Sequence, residues 1–247
     1  MIDMAPVPQA VAMMEHALRE VFGNRLQSFV AYGLGADQTA HGESHGRRPT
    51  APTRTLAIVE SLTAEDLKAC ADRVAGWHDR GLATPLLLAA HEFERSLDAF
   101  PLEFGAILAD HAVVSGRNPF EGAKVDAADV RRACEVQARS HLLHLREGFV
   151  ETRGRPDALA VLIVQSAAPF AALLTSVARL EGHAGEGAAA AGRHVERALQ
   201  LPSGVATSVV ALVDVSEISS AEALRLFPAY LDAVARLVAY VDRWGAR

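Results

Sequence analysis

From Ala158 to Ala178 the chain runs for 21 residues without a charged side chain. A helix this apolar has to be surrounded, either by lipid or by other helices. The stretch is long enough to span a bilayer. Its content argues otherwise: it holds Gln165, Ser166, Pro169, Thr175 and Ser176, and a third of it is alanine. Asp157 and Arg179 bound it closely, and no aromatic belt flanks it. It reads as the buried central helix of a bundle, with no membrane partner. The flanking pattern supplies the neighbours. From Asp126, an N-cap candidate, helical periodicity predicts segments at about 127–152, 157–181, 188–200, 204–215 and 219–243. Five helices with short links make a bundle. Pro169 and Pro228 are expected to kink the second and the last, because proline lacks the helical N–H and crowds the preceding turn.

The first half of the chain is punctuated differently. Residues 8–22 carry Val11, Met14, Leu18, Val21 and Phe22 at helical spacing, and Gly23 ends the helix. Residues 26–33 (LQSFVAYG) and 55–59 (TLAIV) read as strands. Between them lies a Gly- and Pro-rich exposed loop, Gly35 to Arg54. Thr63-Ala-Glu-Asp66 resembles a capping box that opens a helix running to about Arg80. A third strand is expected at 84–89, a short helix at His91–Leu97, a fourth strand at 101–108 (PLEFGAIL) and a fifth at 111–114. Ser-Gly-Arg-Asn-Pro from Ser115 marks a turn and a boundary. The expected architecture is α+β, a mixed sheet with flanking helices over residues 1–120, followed by an all-α bundle over 121–247.

Composition narrows the function classes. Half the residues are hydrophobic and 22% are charged, which excludes a disordered chain. Residues 1–120 carry 10 basic and 15 acidic groups and residues 121–247 carry 14 and 15, so neither half has the cationic excess of a surface that tracks nucleic-acid phosphates. Cys70 and Cys134 are too few for a disulfide framework or a four-cysteine zinc site. Met1 is followed by Asp3 and no basic leader segment, so no secretory signal is visible and a cytoplasmic location is expected.

The layout of strand, glycine, loop, second strand, helix, further strands and bundle resembles the nucleotidyltransferase superfamily of polymerase-beta type. SFVAYGLGAD (Ser28–Asp37) sits where that family has a strand followed by a Gly-Ser loop. FPLEFGAILADHAVVSGRNPF (Phe100–Phe120) is similar to the family's later strands and the turn after them. DALAVLIVQSAAPFAALLTSVARLEG (Asp157–Gly182) is similar to the long bundle helix of bacterial members. The resemblance implies a site in which two carboxylates at the second strand and a third on a later strand hold Mg²⁺ against the phosphates of an NTP.

The chain departs from that pattern where the chemistry is done. The nucleotide-binding positions are Gly33, Leu34, Gly35, Thr53 and Thr55. Leu34 replaces the hydroxyl of the Gly-Ser pair. Thr53 and Thr55 stand at the i, i+2 spacing of the metal pair, and neutral hydroxyls are poor Mg²⁺ anchors. Arg54 adds a like charge beside them. Glu103 is the candidate for the retained third carboxylate and hence the one candidate catalytic residue. Asp37 and Glu43 in the loop are possible substitute ligands; no metal site is assigned. The resulting expectation is a nucleotidyltransferase-like protein with a degenerate metal site, catalytically impaired, acting by ligand binding or assembly. Two other readings stay open. One is an active transferase moving a nucleotidyl group to a small-molecule or protein hydroxyl, with Mg²⁺ and an NTP as cofactors. The other is a helical interaction module that pairs with itself or with another helical protein.

Other constellations weigh less. His41 and His45 lie four apart in the loop, a spacing that means zinc only on a helix. Arg139-x4-His144 matches the motif of the HEPN ribonucleases, but a chain with this much Arg and His reaches it by chance. His91, Glu94 and His111 read as surface residues at strand ends, or as the rim of a cleft beside Glu103. Cys70 and Trp77 read as packing residues.

Overall fold

The computed structural model describes residues 9–34, 52–183 and 187–244. The chain divides into two compact units, Met1–Asp126 and Ala127–Arg247. The first unit runs α1 (Gln9–Phe22), a short 3-10 turn, β1 (Leu26–Tyr32), β2 (Arg54–Val59), α2 (Ala64–Ala71), α3 (Val74–His78), β3 (Leu86–Ala89), α4 (Ala90–Ala99), α5 (Pro101–Ala109) and β4 (His111–Gly116). Its four strands form one mixed sheet in the order β3-β2-β1-β4. β1 pairs antiparallel with both β2 and β4, and β2 pairs parallel with β3.

Both faces of this sheet are covered, and period-2 alternation decides which residue meets which cover. On one face Phe29, Ala31, Ala57 and Val59 pack against Val11, Met14, Leu18 and Phe22 of α1, with Cys70 and Trp77 completing the cluster. On the other, Val30, Leu56 and Ile58 meet Phe93 of α4, Phe104 and Ile107 of α5, and Phe120.

One expected element is corrected. Residues 101–109 form a helix, not a strand. Pro101 occupies the first turn, where its fixed φ suits a helix and its missing N–H costs nothing. Pro101, Phe104, Gly105 and Ile107 are the buried residues, which is helical spacing. A short apolar run does not separate the two periods. The helix expected from 64 to 80 is also interrupted at Asp72–Arg73. There the Arg73 amide bonds the Cys70 carbonyl, and its guanidinium takes the Ala69 carbonyl at 2.7 Å instead.

The capping box at Thr63 is present: Thr63 Oγ1 accepts from the Asp66 amide at 3.2 Å, and Asp66 Oδ2 accepts from the Thr63 amide at 3.0 Å. Asp66 also takes a two-pronged bond from Arg25, at 2.8 and 2.6 Å. That guanidinium, above all, holds the Asp66 carboxyl well below the usual carboxylate range.

β1 and β4 each carry one β-bulge. Gln27 is the extra residue of β1 against β2, and Val114 the extra residue of β4 against β1. Gly116 has φ +80°, and a Cβ there would stand 2.1 Å from the Gln27 carbonyl oxygen. Only glycine fits.

The second unit contains α6 (Ala127–Glu151), α7 (Pro156–Leu180), α8 (Ala188–Ala198), α9 (Val205–Val210) and α10 (Ser220–Arg243). α7 packs against the other four. Among the described residues it is the one helix long and apolar enough to cross a membrane, but eleven of its side chains are buried within the protein. Its hydroxyls bond back along the helix, Thr175 to the Ala171 carbonyl and Ser176 to that of Ala172. α7 and α10 continue through Pro169 and Pro228. Glu196 of α8, 7% exposed, is satisfied by the amides of Gly204 and Thr207 and the Thr207 hydroxyl, and so caps the start of α9.

Two substitutions test these contacts. Gly116→Ala is expected to destabilise the protein by more than the ~1–3 kcal/mol of a left-handed non-glycine residue, because the clash adds to it; urea unfolding measures this. Thr63→Ala is expected to cost about 1 kcal/mol. The folded Asp66 has the lower pKa, so its contribution is complete above the unfolded value, ~3.9, and is lost as pH falls below it. Asp66→Asn should therefore reduce the acid-induced fall in melting temperature.

Candidate functional site

The positions singled out by the resemblance lie where β1 ends and β2 begins. Tyr32 and Arg54 are cross-strand partners, and the Arg54 guanidinium lies over the Tyr32 ring, 5.1 Å from its centroid. Gly33 follows with φ +73°; its amide donates to the Asp110 carbonyl at 3.0 Å. A Cβ on Gly33 would stand 2.6 Å from an Arg54 terminal nitrogen, so the glycine makes room for the guanidinium. Burial pushes the Tyr32 phenol up, Arg54 pulls it back down, and the Glu103 carboxylate pushes it up again. Glu103, exposed in the first turn of α5, is thus within electrostatic reach of the Tyr32–Arg54 stack.

The threonines do not join this group. Thr55 is 1% exposed, and its hydroxyl meets the Met14 sulfur at 3.3 Å, under α1. Thr53 is half-buried and bridged to Leu82, with its amide on the Gly81 carbonyl. Leu34 packs on the same α1-facing cluster as Thr55's neighbours. Gly35, Asp37, His41, Glu43 and His45 lie outside the described residues. Among the described residues no three His, Cys, Asp or Glu side chains are grouped to hold a metal.

A cavity of about 650 Å³ opens at the other end of the same strands, and sequence reasoning missed it. Ile58 and Phe93 give it apolar walls; Arg117, Glu94 and Glu121 bring charge; Gln27, Ser28 and Asn118 bring polar groups. Ser28 is 4% exposed and its hydroxyl has no hydrogen-bond partner. A lone serine in an apolar strand was the signal available, but its partners are distant in sequence. Of the expected strand-end residues, only Glu94 reaches this cavity. His111 instead ties α5 to the turn after β4, with Nδ1 at 3.1 Å from the Ile107 and Leu108 carbonyls and Nε2 at 3.3 Å from Asn118.

In the second unit, α6 and α7 line a cleft of about 380 Å³ that contains His141 and His144. His141 Nε2 is 2.6 Å from the Tyr230 hydroxyl, which donates to Ser166 Oγ at 3.1 Å; Ser166 donates in turn to the Ile163 carbonyl at 2.8 Å. The His141 ring stacks on Phe170 at 5.6 Å. His144 Nδ1 meets Ser140 at 3.2 Å. Arg139 is drawn away, with both Asp242 oxygens at 2.7 Å and Glu135 at 3.3 Å, so it pins α6 to α10 and is absent from the cleft lining.

Burial, then the nearby His144, lowers the His141 pKa from 6.5 to about 4. Between those values the unfolded chain binds more protons at this residue than the folded one. The stability it contributes is therefore complete above pH 6.5 and is lost as pH falls toward 4. An NMR titration is expected to show the His141 ring signals unmoved down to pH 5.5.

No protein-family model matches the chain, and no curated protein matches it.

Proposed function

We propose that the first unit is a nucleotidyltransferase-like module that has lost its metal pair and acts by binding a ligand rather than by transferring a nucleotidyl group. The observation that carries this reading is the replacement at β2. Where the resemblance calls for two carboxylates, Thr55 is turned into the core under α1 and Arg54 lies against Tyr32 and Gly33. Transfer in that family's manner needs carboxylates to hold Mg²⁺ between the phosphates and the attacking oxygen. The Thr55 hydroxyl lies in the core, Thr53 is a neutral hydroxyl and a poor anchor, and a guanidinium repels a second cation. The same guanidinium, on the exposed residue Arg54, can take a phosphate oxygen directly. A phosphate-bearing ligand then needs no metal.

The active-transferase reading has one observation in its favour, the nearness of Glu103 to the Tyr32–Arg54 stack. It makes a separate demand: transfer must vanish in Glu103→Gln.

Calorimetric titration with ATP and GTP, with and without Mg²⁺, and a radiolabel transfer assay test the proposal. The expected result is that Mg²⁺ adds nothing to affinity and no label moves to any acceptor. Micromolar binding that depends on Mg²⁺, together with label transfer abolished by Glu103→Gln, would contradict it.

A further inference from the structure

The cleft between α6 and α7 belongs to neither the resemblance nor the proposal above. Its hydrogen-bond polarity follows from one chain of bonds. The Ile163 carbonyl can only accept, so Ser166 must donate its single proton to it. Ser166 Oγ then accepts from Tyr230, which uses the one proton of the phenol. The remaining bond, His141 to Tyr230, is left to the imidazole to donate, so Nε2 carries the ring hydrogen. A neutral imidazole has one N–H, and Nδ1 is therefore a bare acceptor.

One more acceptor stands in the same lining. Gln137 Oε1 is buried and has no hydrogen-bond partner. Buried groups of this kind are rare in folded proteins and costly to leave unpaired. Leu145, Leu162 and the Pro169 ring supply apolar walls, and no Asp, Glu, Lys or Arg is among the lining residues.

An apolar-walled cleft of this size, in which the unpaired buried side-chain atom is an acceptor, favours a ligand that donates to it. We infer that it is a binding site for a small organic ligand that presents N–H donors from a flat apolar body, as aryl amidines and amino-substituted heteroarenes do. The donors would meet Gln137 Oε1 and His141 Nδ1, while the ring lies between Leu145, Leu162 and Pro169. This inference is independent of what the first unit binds.

Benzamidine and benzoate share one ring and have opposite hydrogen-bonding polarity, so they are the discriminating pair. Each is titrated into the ¹⁵N-labelled full-length chain at pH 8. Benzamidine is expected to give saturable shifts at residues 137–145 and 162–168, and benzoate none. Gln137→Leu removes an acceptor and should weaken benzamidine at least fivefold. Gln137→Glu places a carboxylate there and should tighten it at least fivefold. If the leucine variant loses its helical circular dichroism, the glutamate variant decides. The inference is overturned if benzoate binds as well as benzamidine, if benzamidine shifts no residue of the cleft, if Gln137→Glu fails to tighten it, or if ¹⁵N shifts place the His141 proton on Nδ1.

Discussion

The alternation of β2 between two buried faces governs what the first unit can do. Leu56 and Ile58 must enter the cluster under α4 and α5, and Ala57 and Val59 the cluster under α1. Thr55, with the parity of Ala57, is therefore committed to α1, where its hydroxyl meets Met14. Shifting the register by one residue would send every core side chain to the wrong face. Arg54 takes the parity of Leu56, and as the first residue of β2 it finds Tyr32 across from it and Gly33 beyond. On the Arg54 face β2 itself offers a cation, with the Glu103 carboxylate of α5 within electrostatic reach of Tyr32.

The second unit solves a different problem. A helix with no charge over 21 residues still carries serine, threonine and glutamine. All three of its hydroxyls, on Ser166, Thr175 and Ser176, are satisfied by carbonyls one turn back. Ser166 does this and accepts from Tyr230 as well, and that second bond reaches His141 on α6. One polar thread thus joins α6, α7 and α10 through a region otherwise closed by Phe170 and its neighbours. The cleft beside it is where the satisfaction stops, at Gln137.

Long periodic segments were legible in the sequence. The five bundle helices lie within a few residues of their expected places, apart from α9, which is shorter, and so do α1, β1, β2, β3, α4 and β4. Thr63 was legible because a capping box is local. PLEFGAIL was not, since Pro101 and Phe104 suit either period until α5 is seen against Val30 and Leu56. The absence of carboxylates near Thr53 could be read directly, whereas the burial of Thr55 could not, because parity has meaning only once α1 is known to cover that face. Both clefts were invisible for a common reason. Ser28 and Arg117 line one wall together, as do Gln137 and Gln165 the other, and each pair is brought together by pairing or packing between distant segments.

The central claim is that the first unit lacks a metal–nucleotide site. Electron paramagnetic resonance of Mn²⁺ with a non-hydrolysable ATP analogue reads this most directly, because it senses any ligand set, including one supplied by Asp37 or Glu43. The account predicts that Mn²⁺ gains no ligand from the protein, and that any nucleotide the protein binds is bound equally well without the metal. A protein-bound spectrum that saturates with one or two Mn²⁺ per chain and requires the nucleotide would contradict it.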